Sequence, residues 1–201
     1  LAPRTPALNI GESGLGLRMF GPIAALSTSP LTLEAEGSLR SRPMTPMASV
    51  LGAAGGDIAL HTGCPPVRIK GPLRGGRFNM DGSLSSQFLT GMLMALPRAE
   101  QDSIIQVSGL QSRPYVDMTL EVMAAAGIMS HHEEYQTFTI PGNQLYTPFD
   151  ATVSGDWSAG AFLLILAALC GDPFLEVDGL GNTPTQADQA VTGALLLSGA
   201  K

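Results

Sequence analysis

With 201 residues, 44% hydrophobic and 14% charged, the chain is long enough for one large or two small domains with real cores, which excludes a disordered protein. A formal net charge of -6 and a pI near 4.9 argue against nucleic acid and anionic membrane as partners, so small molecules or proteins are expected and any anion site must be local. Cys64 and Cys170 fit neither a zinc-ligand spacing nor a disulfide framework, which points to a reducing cytoplasm with no metal and no cofactor.

The chain opens Leu1-Ala2-Pro3 without an initiator methionine or a signal pattern, and the expectation is an internal piece whose first repeat lacks its opening elements. Gly11-Glu12-Ser13-Gly14-Leu15-Gly16 has the look of a glycine-rich phosphate loop, but no Walker lysine follows, and a tight turn into a helix explains it as well. Residues 32–37 form a strand-like run ending in glycine. The loop behind it carries Ser41-Arg42-Pro43 into a helix with Met44, Met47, Leu51 and Ala54 at helical spacing, stopped by Gly55. A guanidinium at Arg42 can grip a carboxylate or phosphate with two parallel hydrogen bonds, although a solvated surface arginine is commoner. Residues 57–69 with 77–81 are the first hairpin candidate, and Cys64 falls there as a loop thiol.

Asp81-Gly82-Ser83-Leu84-Ser85-Ser86-Gln87-Phe88-Leu89 places several hydroxyls at the start of an apolar helix running to about Leu96, where free N–H groups and a positive dipole end suit an anion. Helix capping is the plainer explanation, but a cap needs one serine, whereas Ser85, Ser86 and Gln87 supply three polar side chains. A second strand-like run, 104–109, leads through Ser112-Arg113-Pro114 into a helix with Val116, Leu120 and Met123, stopped by Gly127. Arg113 thus matches Arg42. Residues 128–140 with 151–154 form the second hairpin candidate. Its His131 and His132, beside Glu133 and Glu134, point to opposite faces of a strand, so a solvated hairpin is expected and not a chelate. Residues 142–151 read as a linker. The apolar run 161–170 is about half of the roughly 20 residues that span a bilayer, so it reads as a buried helix, with Cys170 in the core. A third run, 175–179, follows, and the chain stops before a closing hairpin.

The three runs end at Gly37, Gly109 and Gly179, spaced 72 residues (37 to 109) and 70 residues (109 to 179). This period exceeds that of ordinary solenoids, so each copy is a small subdomain: strand, helix, strand, helix and two strands, with helices packed behind the sheet in an α/β (α+β type) fold.

Together these motifs resemble the 5-enolpyruvylshikimate-3-phosphate synthase family. Residues 81–89, with Thr90 and Met94, resemble its Gly-Ser-(Val/Ile/Leu)-Ser-Ser-Gln-Phe-Leu-Thr signature; Ser112-Arg113-Pro114-Tyr115-Val116-Asp117 is similar to its Ser-Lys-Pro-Tyr-Ile-Asp segment, and Arg40-Ser41-Arg42-Pro43-Met44 to its Arg-Pro loop. The resemblance implies repeated βαβαββ units forming an inside-out barrel, incomplete here, with residues 1–153 in the first domain and 154–201 opening the second. It implies that Ser85, Ser86, Gln87, Ser112 and Tyr115 bind shikimate 3-phosphate, and that Gly14, Arg42 and Gln87 bind phosphoenolpyruvate. It further implies transfer of the carboxyvinyl group to the 5-hydroxyl in aromatic amino-acid biosynthesis, by a monomer. The family's lysine-serine motif, aspartate base and late phosphate-clamping cations find no match here, so catalytic residues are expected outside the chain. Glu12 and Leu15 depart from the family's Gly-Asn-(Ala/Ser)-Gly-Thr loop. The UDP-N-acetylglucosamine enolpyruvyl transferases carry a catalytic cysteine in the loop matching 37–42, which has none here, and RNA 3'-phosphate cyclases would call for a basic patch. A non-catalytic, repeat-built interaction module is the remaining alternative.

Overall fold

The structure is a computed structural model and describes residues 3–83, 86–170, 175–181 and 185–200. Two units are resolved by their contacts, residues 1–148 and residues 149–201.

The first unit consists of two copies of one motif. In the first copy β1 (Ala7–Asn9), α1 (Gly14–Ala24), β2 (Leu31–Glu34), α2 (Thr45–Ala53), β3 (Asp57–His61) and β4 (Cys64–Lys70) build a sheet of order β1-β2-β4-β3. In the second, β5 (Gly76–Asp81), α3 (Ser86–Ala95), β6 (Ser103–Ser108), α4 (Arg113–Ala125), β7 (His131–Glu133) and β8 (Thr137–Ile140) repeat it as β5-β6-β8-β7. Each sheet has one parallel pair, joined through a helix because parallel strands need a crossover, and two antiparallel pairs. The expected βαβαββ order is therefore present twice. Among the described residues the two sheets do not close into a barrel.

Three expectations are corrected here. The first copy has its opening strand, β1, which three residues paired in parallel to β2 suffice to form. The strand at 77–81 does not belong to the first hairpin. It is β5, paired along its length with β6, while β3 and β4 make the hairpin between themselves around Thr62 and Gly63. Likewise β7 and β8 form the second hairpin alone, and residues 151–154 are not a strand. Period-2 patterning marks a strand but does not name its partner.

Strands β4, β5 and β6 alternate buried and exposed residues, so each sheet presents one apolar face to the helices and one polar face outward. Helix α3 is buried almost all round, from Phe88 to Ala95, as expected for a helix that is apolar on every side. It packs on α1 and on α4. Gly91 permits the α1 approach: a Cβ there would lie 2.7 and 2.8 Å from the carbonyl oxygens of Arg18 and Met19. All members of the continuous core, from Leu17 to Ile140, come from this unit.

The expected linker at 142–151 is pinned over its first half. Asn143 N–H donates to Ala99 O at 2.8 Å, Gln144 N–H to Pro97 O at 2.8 Å, and Tyr146 Oη to Met94 O at 2.7 Å.

In the second unit α5 (Trp157–Cys170) is followed by a 3-10 turn over Ala187–Ala190 and α6 (Val191–Leu197). Trp157 Nε1 donates to Gly181 O at 2.8 Å, and Gln186 ties the start of α5 to Gly155. The expectation of a buried helix at 161–170 is corrected, since only Trp157 and Gly160 of α5 are buried, while Phe162 is 78% and Leu169 80% exposed. Among the described residues, only the first turn of this helix, apolar on all sides, finds a covering neighbour. Cys170 is accordingly exposed, not in a core, and Cys64 begins β4 half-buried instead of lying in a loop. Residues 175–179 are not a strand either; no strand of the described residues pairs with them. No helix of the described residues is long and apolar enough to cross a membrane.

Candidate functional site

The site is built where α1, α3 and the loop before α2 converge. Ser13 caps α1, its hydroxyl accepting from Gly16 N–H at 2.9 Å, so that Gly14 begins the helix with its free N–H groups. Around Gly14 stand two guanidinium groups. A Cβ on Gly14 would lie 2.9 Å from Arg18 Nη1 and 3.1 Å from Arg42 Nη1. Gly14 and Arg42, linked only by family likeness in the sequence, are neighbours in space.

Arg18 is the residue that sequence reasoning missed. It lies one turn into α1, half-buried, and its Nη1 donates to Gly14 O at 3.2 Å and to Gln87 Oε1 at 3.4 Å. Burial first, and Arg42 second, push its pKa down. The available signal was a single cation inside an otherwise apolar helical run, Gly14 to Ala24. Gln87, at the start of α3, is thereby joined to the same cluster.

Arg42 follows the 3-10 turn Gly37–Ser41, extended and exposed. Pro43 is not in the helix as expected; α2 begins at Thr45, and Pro46 takes the first-turn position. Arg113, by contrast, opens α4 with Pro114 behind it, and its guanidinium carbon lies 5.1 Å from the Tyr135 ring centroid. The two Ser-Arg-Pro loops thus differ: one arginine faces Gly14 and the other rests on an aromatic ring.

Glu12 is turned to the 3-10 turn, where its Oε2 accepts from Ser38 N–H at 3.2 Å. This hydrogen bond commits the Glu12 carboxylate to the 3-10 turn.

On the α3 side, Asp81 accepts from the Ser83 hydroxyl at 2.6 Å and its N–H at 2.9 Å, which together lower the Asp81 pKa and shape the turn that leaves β5. Ser86 is the first residue of α3 and is half-buried. Ser85 lies outside the described residues. Ser112 is the N-cap of α4 and makes no side-chain capping bond, which leaves its hydroxyl for another use. Tyr115 is 45% exposed on the first turn of α4, its carbonyl accepting from Thr119 Oγ1 at 2.8 Å. Helices α3 and α4 are held together nearby by Thr90 and Thr119, whose hydroxyls are 3.2 Å apart.

His131 is exposed, whereas His132 is half-buried with its ring 4.4 Å from that of Tyr135 and 5.5 Å from that of Phe138. The hairpin is therefore packed on one face and not simply solvated. Among the described residues no group of three His, Cys, Asp or Glu is arranged to hold a metal.

Residues 1–198 match the family model described as EPSP synthase (3-phosphoshikimate 1-carboxyvinyltransferase). The 3-phosphoshikimate 1-carboxyvinyltransferase of Aliivibrio salmonicida is 37% identical over 199 residues, covering 96% of this chain and 46% of the relative. That of Methanoculleus marisnigri is 39% identical over 191 residues, covering 94% and 45%. A solved EPSP synthase from Acinetobacter baumannii superposes with a TM-score of 0.76 at 25% identity, over 98% of this chain and 43% of that one. The chain spans about half the length of the relatives it matches. With its repeated βαβαββ units and its serine-glutamine and arginine loops, the chain belongs to the EPSP synthase family.

Proposed function

We propose that this chain provides one wall of a site that transfers the carboxyvinyl group of phosphoenolpyruvate to the 5-hydroxyl of shikimate 3-phosphate, with release of phosphate. The observation that carries the reading is the convergence of Arg18 and Arg42 on Gly14 at a helix start, with Gln87 joined to them through Arg18. Two guanidinium groups this close repel one another until an anion joins them, and the free N–H groups of α1 add to the same field. In this reading Gly14, Arg42 and Gln87, joined by Arg18, hold phosphoenolpyruvate. Ser85, Ser86, Gln87, Ser112 and Tyr115 hold shikimate 3-phosphate, with Ser86 at the start of α3 and the uncommitted Ser112 hydroxyl at the start of α4.

Bringing two anions together is the main electrostatic difficulty of such a reaction, and fixed cations and helix termini are what offset it. Since the family's aspartate base and late cations find no match in these residues, the direct test is binding. Titration of the chain with shikimate 3-phosphate and with phosphoenolpyruvate, read by amide NMR shifts, should move Ser86, Gln87 and Ser112 with the first and Gly14 and Arg42 with the second. Absence of any shift with either ligand favours the repeat-built interaction module. A reducing cytoplasm suits the unpaired Cys64 and Cys170, and a monomer is the assembly we propose.

A further inference from the structure

The turn between β7 and β8 is built from residues that do not suit it. Glu134 and Tyr135 occupy its two central positions with φ of 48° and 59°, and Gln136 N–H donates to Glu133 O at 2.9 Å. Hairpin turns with both central residues at positive φ favour Asn-Gly, because a Cβ in that region is crowded. A tyrosine there is disfavoured by the backbone, which turns attention to what its side chain does.

The Tyr135 ring reaches across to α4. Its hydroxyl donates to Asp117 Oδ1 at 2.8 Å, Arg113 lies over its face at 5.1 Å, and His132 stacks on it at 4.4 Å. Arg113 and Asp117 are one turn apart on the same face of α4, whereas Tyr115 between them lies on another face. The ring therefore grips the first turn of α4 from behind, and Ser112 is the N-cap of that turn. The bond to Asp117, followed by burial, raises the Tyr135 pKa.

We propose that Tyr135 is a positioning residue: through Asp117 and Arg113 it fixes the first turn of α4, and with it the orientation of Ser112 and Tyr115 toward the phosphorylated substrate. The link to substrate rests on the proposed reading of the site; the mechanical link to α4 does not.

Tyr135→Phe and Tyr135→Gly in the full chain test it. Phenylalanine keeps the ring and loses the bond to Asp117, while glycine suits the turn and loses the whole grip. Amide hydrogen exchange at residues 117–119 should quicken by about tenfold in Tyr135→Gly, with residues 88–95 unchanged, because only a local opening is made easier. The dissociation constant for shikimate 3-phosphate should rise about threefold in Tyr135→Phe and about tenfold in Tyr135→Gly, as one hydrogen bond and then the whole contact are lost. Tyr135→Asn, which also tolerates positive φ, should behave as the glycine variant does. Unchanged exchange at 117–119 in Tyr135→Gly, with or without a higher melting temperature, would make Tyr135 an ordinary turn residue and overturn the proposal. Quickened exchange with an unchanged dissociation constant overturns the role in substrate positioning. Failure of the unmodified chain to bind shikimate 3-phosphate sinks the reading of the site instead, and the exchange measurement still decides whether the grip exists.

Discussion

Arg18 and Arg42 come from different elements to one glycine, and among the described residues no carboxylate forms an ion pair with either. Such a pair is better suited to a ligand than to stability. Arg42→Lys should therefore weaken phosphoenolpyruvate binding by about tenfold, because a point charge cannot reproduce two parallel hydrogen bonds, whereas Arg113→Lys, resting on the Tyr135 ring, should change it less than about twofold. Equal tolerance of lysine at both positions in a binding titration would remove the distinction. Gly14→Ala should act on the same site without harming the fold. The atoms its Cβ would meet within about 3 Å are the far ends of two flexible arginines, so the side chains give way and the anion loses its geometry. The expected result is weaker phosphoenolpyruvate binding with an unchanged melting temperature; a fall of several degrees would contradict it. Ser103 presents the opposite case. Its hydroxyl is fully buried at the start of β6 with no hydrogen-bond partner among the described residues. Ser103→Ala removes an unsatisfied polar group and should raise the unfolding free energy by about 1 kcal/mol in a denaturant titration, where a loss would show that the hydroxyl has a partner.

At the scale of elements, the α1–α3 contact sets the distance between Arg18 and Gln87. The atoms that a Cβ on Gly91 would meet are backbone: the carbonyls of Arg18 and Met19 and the Met19 Cα at 3.0 Å. Backbone cannot swing aside, so Gly91→Ala must separate the helices. It should cost about 1–3 kcal/mol in stability and also weaken binding of both ligands. Stability lost with unchanged affinity would mean that Arg18 and Gln87 do not depend on this spacing. Much of this level was legible in the sequence. Gly37 and Gly109 recur because the exits of β2 and β6 need positive φ, 49° and 67°, and Gly55 and Gly127 because α2 and α4 end the same way, at 95° and 78°. Backbone requirements of that kind leave the same letter at the same interval. Strand partners leave no such mark: the residues of β5 read as well in the first hairpin as beside β6, where the structure pairs them. The tripeptide itself does not distinguish Arg42 from Arg113, although it enters the end of a 3-10 turn in one copy and a helix start in the other; only the family resemblance singles out Arg42. Arg18 carries no local signal of its role, because its partner, Gln87, is 69 residues away.

At the scale of the whole molecule, the two units differ in how well they are closed. Residues 1–148 hold both sheets and every member of the continuous core, and the segment before Pro148 is tied back to α3 by Tyr146. Residues 149–201 leave Phe162, Leu166, Leu169 and Leu197 exposed, at 78%, 54%, 80% and 92%. Contiguous apolar surface of this kind binds dyes and other chains, whereas isolated exposed leucines do not. A chain ending at Pro148 should then keep the melting temperature of the first unit within about 3 °C, since no member of the continuous core is removed and a shift of this size corresponds to about 1 kcal/mol for a domain of this length. It should also keep the amide shifts of Ser86, Gln87 and Ser112 on adding shikimate 3-phosphate, and lose most of the hydrophobic-dye fluorescence of the 201-residue chain. Scanning calorimetry, the NMR titration and dye binding check the three parts separately. A much lower melting temperature for the shortened chain would show that residues 149–201 support the first unit, and unchanged dye fluorescence would place the exposed apolar surface elsewhere than on α5 and α6.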